Sequence, residues 1–424
     1  MIEILQDYLS SMAHAIRGTE ITYALLIISL FVIPRILIRL GIPMALSAFA
    51  MGSMASTYLG FADGDQVISQ FASLGIIGLF LFAGMEVDLR ALRQNLRHII
   101  EHLAVRMLVI AVLTVIICSQ FSLTVAAGVL IALAIATPST GFILDNLANS
   151  ELSDDRKYWI KLKAISAEIV ALGLLLIVTQ GQSVGALAGS ITVIFLLLLL
   201  LPFLFKKLAV IIERIAPGSE FTFLLMLGVI FGIVTKKLGA YYLVGAFMVG
   251  IMAGRYRRET RDVPTEQMLK SLHMFAAFFM PFYFFNAGMQ FPTSALNRGA
   301  WIVAGVFFLL LFPIKLISIM MHRKVALHEG WRDSLPVALS LMPNLVFGLV
   351  LAELIKVIPA VPPEVYGGLV LFTLLITALA PMILKALPVA SETTVYSTDD
   401  QLMQPGFDVF SKIKESRPGG DELK

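Results

Sequence analysis

Two ionisable side chains lie where charge is costly. Glu168 falls in the middle of the apolar run AISAEIVALGLLLIV, and Lys315 lies well inside WIVAGVFFLLLFPIKLISIMM. A charge at the centre of a membrane helix is expensive unless it is paired or solvated. A carboxylate in that position holds either a proton or a hard monovalent cation, not both. Competition for one negative site then couples the two ions. Two readings follow from the pair: a structural Glu168–Lys315 ion pair, or Glu168 as a carrier with Lys315 as its charge partner while no ion is bound.

The neighbours of these charges supply oxygen. Thr137, Pro138, Ser139 and Thr140 form one polar stretch in an apolar segment, and Pro343 and Asn344 form another. Proline removes a backbone donor and clashes with the preceding turn, so each stretch predicts a broken helix. Carbonyls freed there, with the hydroxyls of Thr137, Ser139, Thr140 or Ser166, can complete a shell for Na⁺ or K⁺ around Glu168, the expected metal ligand. No His or Cys cluster suggests a transition metal. No nucleophile–base motif or phosphate-binding loop suggests an enzyme, and no cofactor is expected.

The elements that must hold these groups follow from composition. Of 424 residues, 58% are hydrophobic and 14% charged, with a mean hydropathy of +0.87. An ordinary soluble domain carries about 25% charged residues, so this composition indicates a multi-pass membrane protein. The single cysteine, Cys118, excludes a disulfide scaffold, and a net charge of +3 gives no basis for nucleic-acid binding. At about 20 residues per helical span, the chain reads as thirteen spans: 21–39, 43–60, 66–87, 99–119, 123–146, 157–180, 185–205, 219–236, 239–255, 265–289, 299–321, 333–357 and 364–386. Pro202 with Lys206 and Lys207 is expected to close the seventh. Residues 1–20 read as an N-terminal extracytoplasmic segment, 21–388 as the transmembrane domain, and 389–424 as a flexible cytoplasmic tail.

Arg90, Arg93, Arg97, Lys206, Lys207, Arg214, Arg255, Arg257, Arg258, Arg261, Arg323, Lys324 and Arg332 fall in one set of loops. The positive-inside rule makes those loops cytoplasmic, which places the N-terminus outside and the C-terminus inside. Lys236 and Lys237 run against this pattern. The architecture suits a cell inner membrane.

An internal repeat adds detail. Gly84-Met85 recurs as Gly288-Met289, and Pro138 recurs as Pro343, at offsets of 204 and 205 residues. The offset spans seven helices, an odd number, so the copies (about 21–180 and 219–386, joined by a linker helix at 185–205) are inverted in the membrane. Paired interruptions in corresponding spans point to a binding site between repeats.

Several stretches resemble one family: GMEVDLRALR after span three, LGAYYLVGAFMVGIMAG in span nine, PFYFFNAGMQF in span ten and MPNLVFGLVLAEL in span twelve. In order and spacing they are similar to the monovalent cation:proton antiporter-2 family of NapA-type sodium/proton and Kef-type potassium/proton antiporters. The resemblance implies an all-α fold of thirteen helices, inverted repeats with two crossed broken helices, a homodimer in the lipid membrane, and an elevator-like motion of a core domain. It puts the ion-binding pair on Ala167 and Glu168, the basic residue on Lys315 and the crossing motif on Thr137, Pro138, Ser139 and Thr140. Ala167 stands where two-aspartate members carry a first carboxylate, and Asn344-Leu345-Val346 stands where the family has Arg-Gly-Glu. The expected function is electroneutral exchange of Na⁺ or K⁺ for H⁺. The alternatives are transport of an organic solute or anion on the same fold, or a non-transporting sensor.

Overall fold

A computed structural model describes residues 20–58, 65–148, 152–181, 183–215, 219–238, 242–260, 263–356 and 361–387, with 150 and 358. The expected N-terminal segment, apart from Glu20, and the expected tail lie outside the described residues. Among those described, every regular element is helical. We number the helices α1 (Glu20–Leu37), α2 (Met44–Tyr58), α3 (Gln66–Met85), α4 (Leu89–Gln94), α5 (Leu96–Phe121), α6 (Val125–Ala136), α7 (Thr140–Ala148), α8 (Asp154–Gln180) and α9 (Val184–Ile215). They continue as α10 (Glu220–Lys237), α11 (Tyr242–Thr260), α12 (Val263–Met289), α13 (Arg298–Val306), α14 (Phe312–Ala326), α15 (Trp331–Ser340), α16 (Leu345–Lys356) and α17 (Pro363–Ala386).

Each of the thirteen expected spans coincides with a helix or an interrupted pair. Nine of the described segments are long and apolar enough to cross a membrane, and the bent pair α15–α16 makes a tenth. Short polar caps set several starts. The Asp65 carboxylate accepts from the amides of Val67 and Ile68, Asp88 accepts from Arg90 and Ala91, and Asn297 accepts from Ala300. Each satisfies first-turn donors that have no intrahelical acceptor.

Two expectations need correction. Pro202 and the lysine pair do not end the seventh span, because α9 runs on to Ile215 with Pro202 inside it. Leu201 and Phe205 are buried against α10 and α11 on either side of the proline, so packing carries the helix through a tolerated interruption. Span eleven is not one regular helix either. Phe307–Leu311 widens into a π turn between α13 and α14. Pro313 follows it with no amide to donate, and the wider turn absorbs the proline while re-aiming the next turn, which carries Lys315.

The helices pack in two groups. α2, α3, α10, α11 and α12 form one; α5 to α8 and α13 to α17 form the other, which contains both interrupted pairs. In the first group backbones approach closely at glycine. A Cβ on Gly52 would meet the Phe285 carbonyl, on Gly288 the Phe49 carbonyl, and on Gly250 the Leu81 carbonyl. Small residues let helices pack where lipid gives no hydrophobic drive for association.

This seam generates a test. Gly288→Ala should lower thermal stability in detergent by the equivalent of about 1–3 kcal/mol, the usual cost of overpacking. Gly305→Ala, where an added Cβ meets nothing within 4 Å, should be neutral or gain up to ~1 kcal/mol of helix propensity. Equal Tm values for the two variants would contradict the close backbone contact.

Candidate ion-binding site at the crossed helix breaks

The chain leaves the helix at Thr137, whose φ of −79° and ψ of 124° are extended. The following proline forces this, since it disfavours helical geometry in the residue before it. Helix resumes at Thr140. The second interruption, between Ser340 and Leu345, bends α15 against α16 by 54°. The two breaks meet. The Ser139 amide donates to the Pro343 carbonyl at 2.9 Å, and the Val346 amide donates to Ser139 Oγ at 3.3 Å. Asn344 Nδ2 donates to the Ala134 carbonyl at 2.7 Å.

The last four carbonyls of α6 can be accounted for one by one. Leu133 accepts from the Thr137 amide and Ala134 from Asn344. Ile135 accepts from Lys315 Nζ at 3.1 Å, and Ala136 from the Arg106 guanidinium. Lys315 Nζ also donates to the Met342 carbonyl, at 2.9 Å, just past the end of α15. One ammonium therefore serves the negative ends of two half-helices, where a cation is electrostatically favoured.

Glu168 is placed differently. It is 3% exposed on α8. α8 packs against α7, whose first turn holds Thr140, and neither Thr140 Oγ1 nor Glu168 Oε2 closes a hydrogen bond. First-turn amides of a helix favour a nearby anion. Lys315 belongs with negative helix ends, and among the described residues it forms no salt bridge with Glu168. Lys315 is held by backbone rather than by the carboxylate that the sequence offered as its partner.

The remaining expected site residues divide by what already engages them. Thr137 Oγ1 and Asn344 Oδ1 are buried without hydrogen-bond partners. Ser139 Oγ accepts from Val346, and Ser166 Oγ donates to the Lys163 carbonyl of its own helix at 3.1 Å. The oxygens left open near the crossing are Glu168 Oε2, Thr140 Oγ1, Thr137 Oγ1 and Asn344 Oδ1. All are hard donors suited to an alkali cation.

Charges in the membrane are more numerous than Glu168 and Lys315. Arg106 on α5 and Lys163 on α8 are 6% and 2% exposed. Sequence reading missed Arg106, although its flanks, HLAV and MLVI, are apolar on both sides. Lys161 Nζ pairs with Glu86 Oε2 at 2.6 Å, tying α8 to the end of α3.

Comparison with known proteins gives concordant matches. The family model described as "Sodium/hydrogen exchanger, transmembrane" matches residues 25–389. A probable Na(+)/H(+) antiporter 3 of Methanocaldococcus jannaschii is 23% identical over 370 residues, which are 85% of this chain and 94% of the relative. The structure of the sodium proton antiporter MjNhaP1 from Methanocaldococcus jannaschii at pH 8 superposes with a TM-score of 0.62 and 16% identity, covering 86% of this chain and 95% of that one. An electron-microscopy structure of MjNhaP1 gives a TM-score of 0.59 at 14% identity, over 86% and 94% of the two chains. At these identities the structures show a shared fold.

The crossing predicts a specific weakness. Lys315→Met should strip the Ile135 and Met342 carbonyls of their donor and lower stability by about 2–4 kcal/mol, from two buried acceptors left unsatisfied. Thermal unfolding in detergent checks this. A wild-type Tm would show that these carbonyls do not depend on the lysine.

Proposed function

Since the chain belongs to the family of transmembrane sodium/hydrogen exchangers, and so moves cations against protons rather than acting as an enzyme, we propose that Glu168 is the shared site for both ions. The observation that carries this is a single mid-membrane carboxylate, buried and free of any cationic partner among the described residues, beside the open oxygens of a broken-helix crossing. An uncompensated buried carboxylate is costly. It is relieved either by a proton or by a cation held with Thr140 Oγ1, Thr137 Oγ1 and Asn344 Oδ1, while Ser139 and Ser166 shape the shell. The two states exclude each other, which makes the exchange obligatory.

The cation is Na⁺ in this reading, in keeping with the relatives' names, with K⁺ the alternative; the motifs quoted above favour the antiporter-2 branch with its NapA-type and Kef-type members. One carboxylate carries one proton against one cation, so the cycle is electroneutral. The group of helices containing both breaks moves as an elevator against the glycine-seamed group. The assembly is a homodimer in the inner membrane, with the N-terminus out and the C-terminus cytoplasmic. Transport of an organic anion is less well supported, because Lys315, its natural contact, already serves two carbonyls.

Glu168→Gln should keep the amide isosteric with the protonated acid, leave the protein folded and dimeric, and abolish exchange. Dequenching of a pH-gradient dye in inverted vesicles on adding Na⁺, K⁺ or Li⁺ measures this. Full activity in the variant would remove Glu168 from the mechanism. In proteoliposomes, exchange should proceed without net charge movement, and a current that tracks exchange would rule out the 1:1 stoichiometry.

A further inference from the structure

Beside the crossing lies a second concentration of charge with the opposite sign. His102 and Arg106 on α5, Lys163 on α8, and Lys315, His322 and Arg323 on α14 are each no more than 6% exposed. Lys163 Nζ lies 2.8 Å from His322 Nδ1, and the His102 and His322 rings are 5.3 Å apart. Four of these side chains are formal cations. The carboxylates facing them are Glu329, engaged by Arg323 through two hydrogen bonds, and Glu101, engaged by Arg97 at 3.0 Å. Arg106, Lys163 and Lys315 therefore have only neutral acceptors: the Ala136 carbonyl, the His322 ring and the Ile135 and Met342 carbonyls.

Polar atoms remain open as well. Arg106 Nε and both ring nitrogens of His102 are buried without hydrogen-bond partners. Both residues line a small cavity with Val105, Val109, Lys315 and Ser318. Lys315 brings an ammonium with three hydrogens, two of them already given to carbonyls. The cavity is small, with room for a single water-sized particle. Two buried cations without a carboxylate, an unpartnered guanidinium N–H, an unpartnered imidazole and space for a single sphere describe a receptor for a monatomic anion.

We propose that this cavity binds one halide ion, chloride under ordinary ionic conditions, held by Arg106 and His102 with Lys315 alongside. Water is the competing occupant, but it neutralises neither charge. Sulfate and phosphate need more donors than the few that Arg106, His102 and Lys315 leave open. The ion would sit against the same two cations that close the end of α6, so its occupancy bears on the crossing without touching Glu168.

Binding of ³⁶Cl⁻ to the purified full chain in detergent tests this. About one saturable chloride per chain is expected. Excess bromide should displace it, and excess sulfate should not. Arg106→Gln and, independently, His102→Leu should each weaken binding roughly tenfold or more, as expected for loss of a donor to a charged ligand. Gel filtration identifies a variant that fails to fold, in which case the other carries the comparison. Glu168→Gln should leave chloride binding intact, which separates this proposal from the assignment of Glu168. No saturable binding by the wild-type chain, displacement by sulfate as effective as by bromide, or unchanged affinity in a folded Arg106→Gln or His102→Leu protein would each overturn the site.

Discussion

Backbone groups exposed by a broken helix inside a membrane have no water to turn to, and the structure is organised around that constraint. Each unsatisfied group costs free energy comparable to a lost hydrogen bond or more. The chain meets the demand by bringing two breaks together, so that Ser139 serves the second break and Asn344 the first. Lys315 and Arg106 complete the set on α6. The carbonyl ends of two half-helices are thereby closed by cations.

The lysine is where this logic changes the sequence-based picture most. On paper a buried acid and a buried base invite pairing. With its ammonium shared between two half-helices, Lys315 does structural work and leaves the carboxylate available. The π turn at Phe307–Leu311 contributes by re-aiming the turn that follows it, which carries Lys315.

What was legible in the sequence was local. Pro138 and Pro343 announce their breaks because proline acts on its own turn and on the residue before it, and their 205-residue offset reveals the repeat. Glu168 stands out against an apolar run. Lys315 was found but misassigned, because backbone carbonyls leave no residue signature in a sequence. Arg106 and Lys163 were passed over because a basic side chain in a helix near the membrane edge ordinarily reaches the surface; only the packing of α5 against α6 and α14 shows that Arg106 turns inward. Pro202 misled in the other direction: a single proline ends an exposed helix, but neighbours hold α9 through it.

The glycine contacts of α2, α3, α11 and α12 also have a mechanical consequence. Where carbonyl meets Cα with no side chain between, there is no rotamer to flip and no methyl group to yield. Such a joint resists twisting and separation alike, and its shape is set by backbone geometry, which temperature and solvent alter little. Side-chain contacts elsewhere are softer by comparison. Compliance is therefore distributed unevenly through the molecule, with the seam among its stiffest parts.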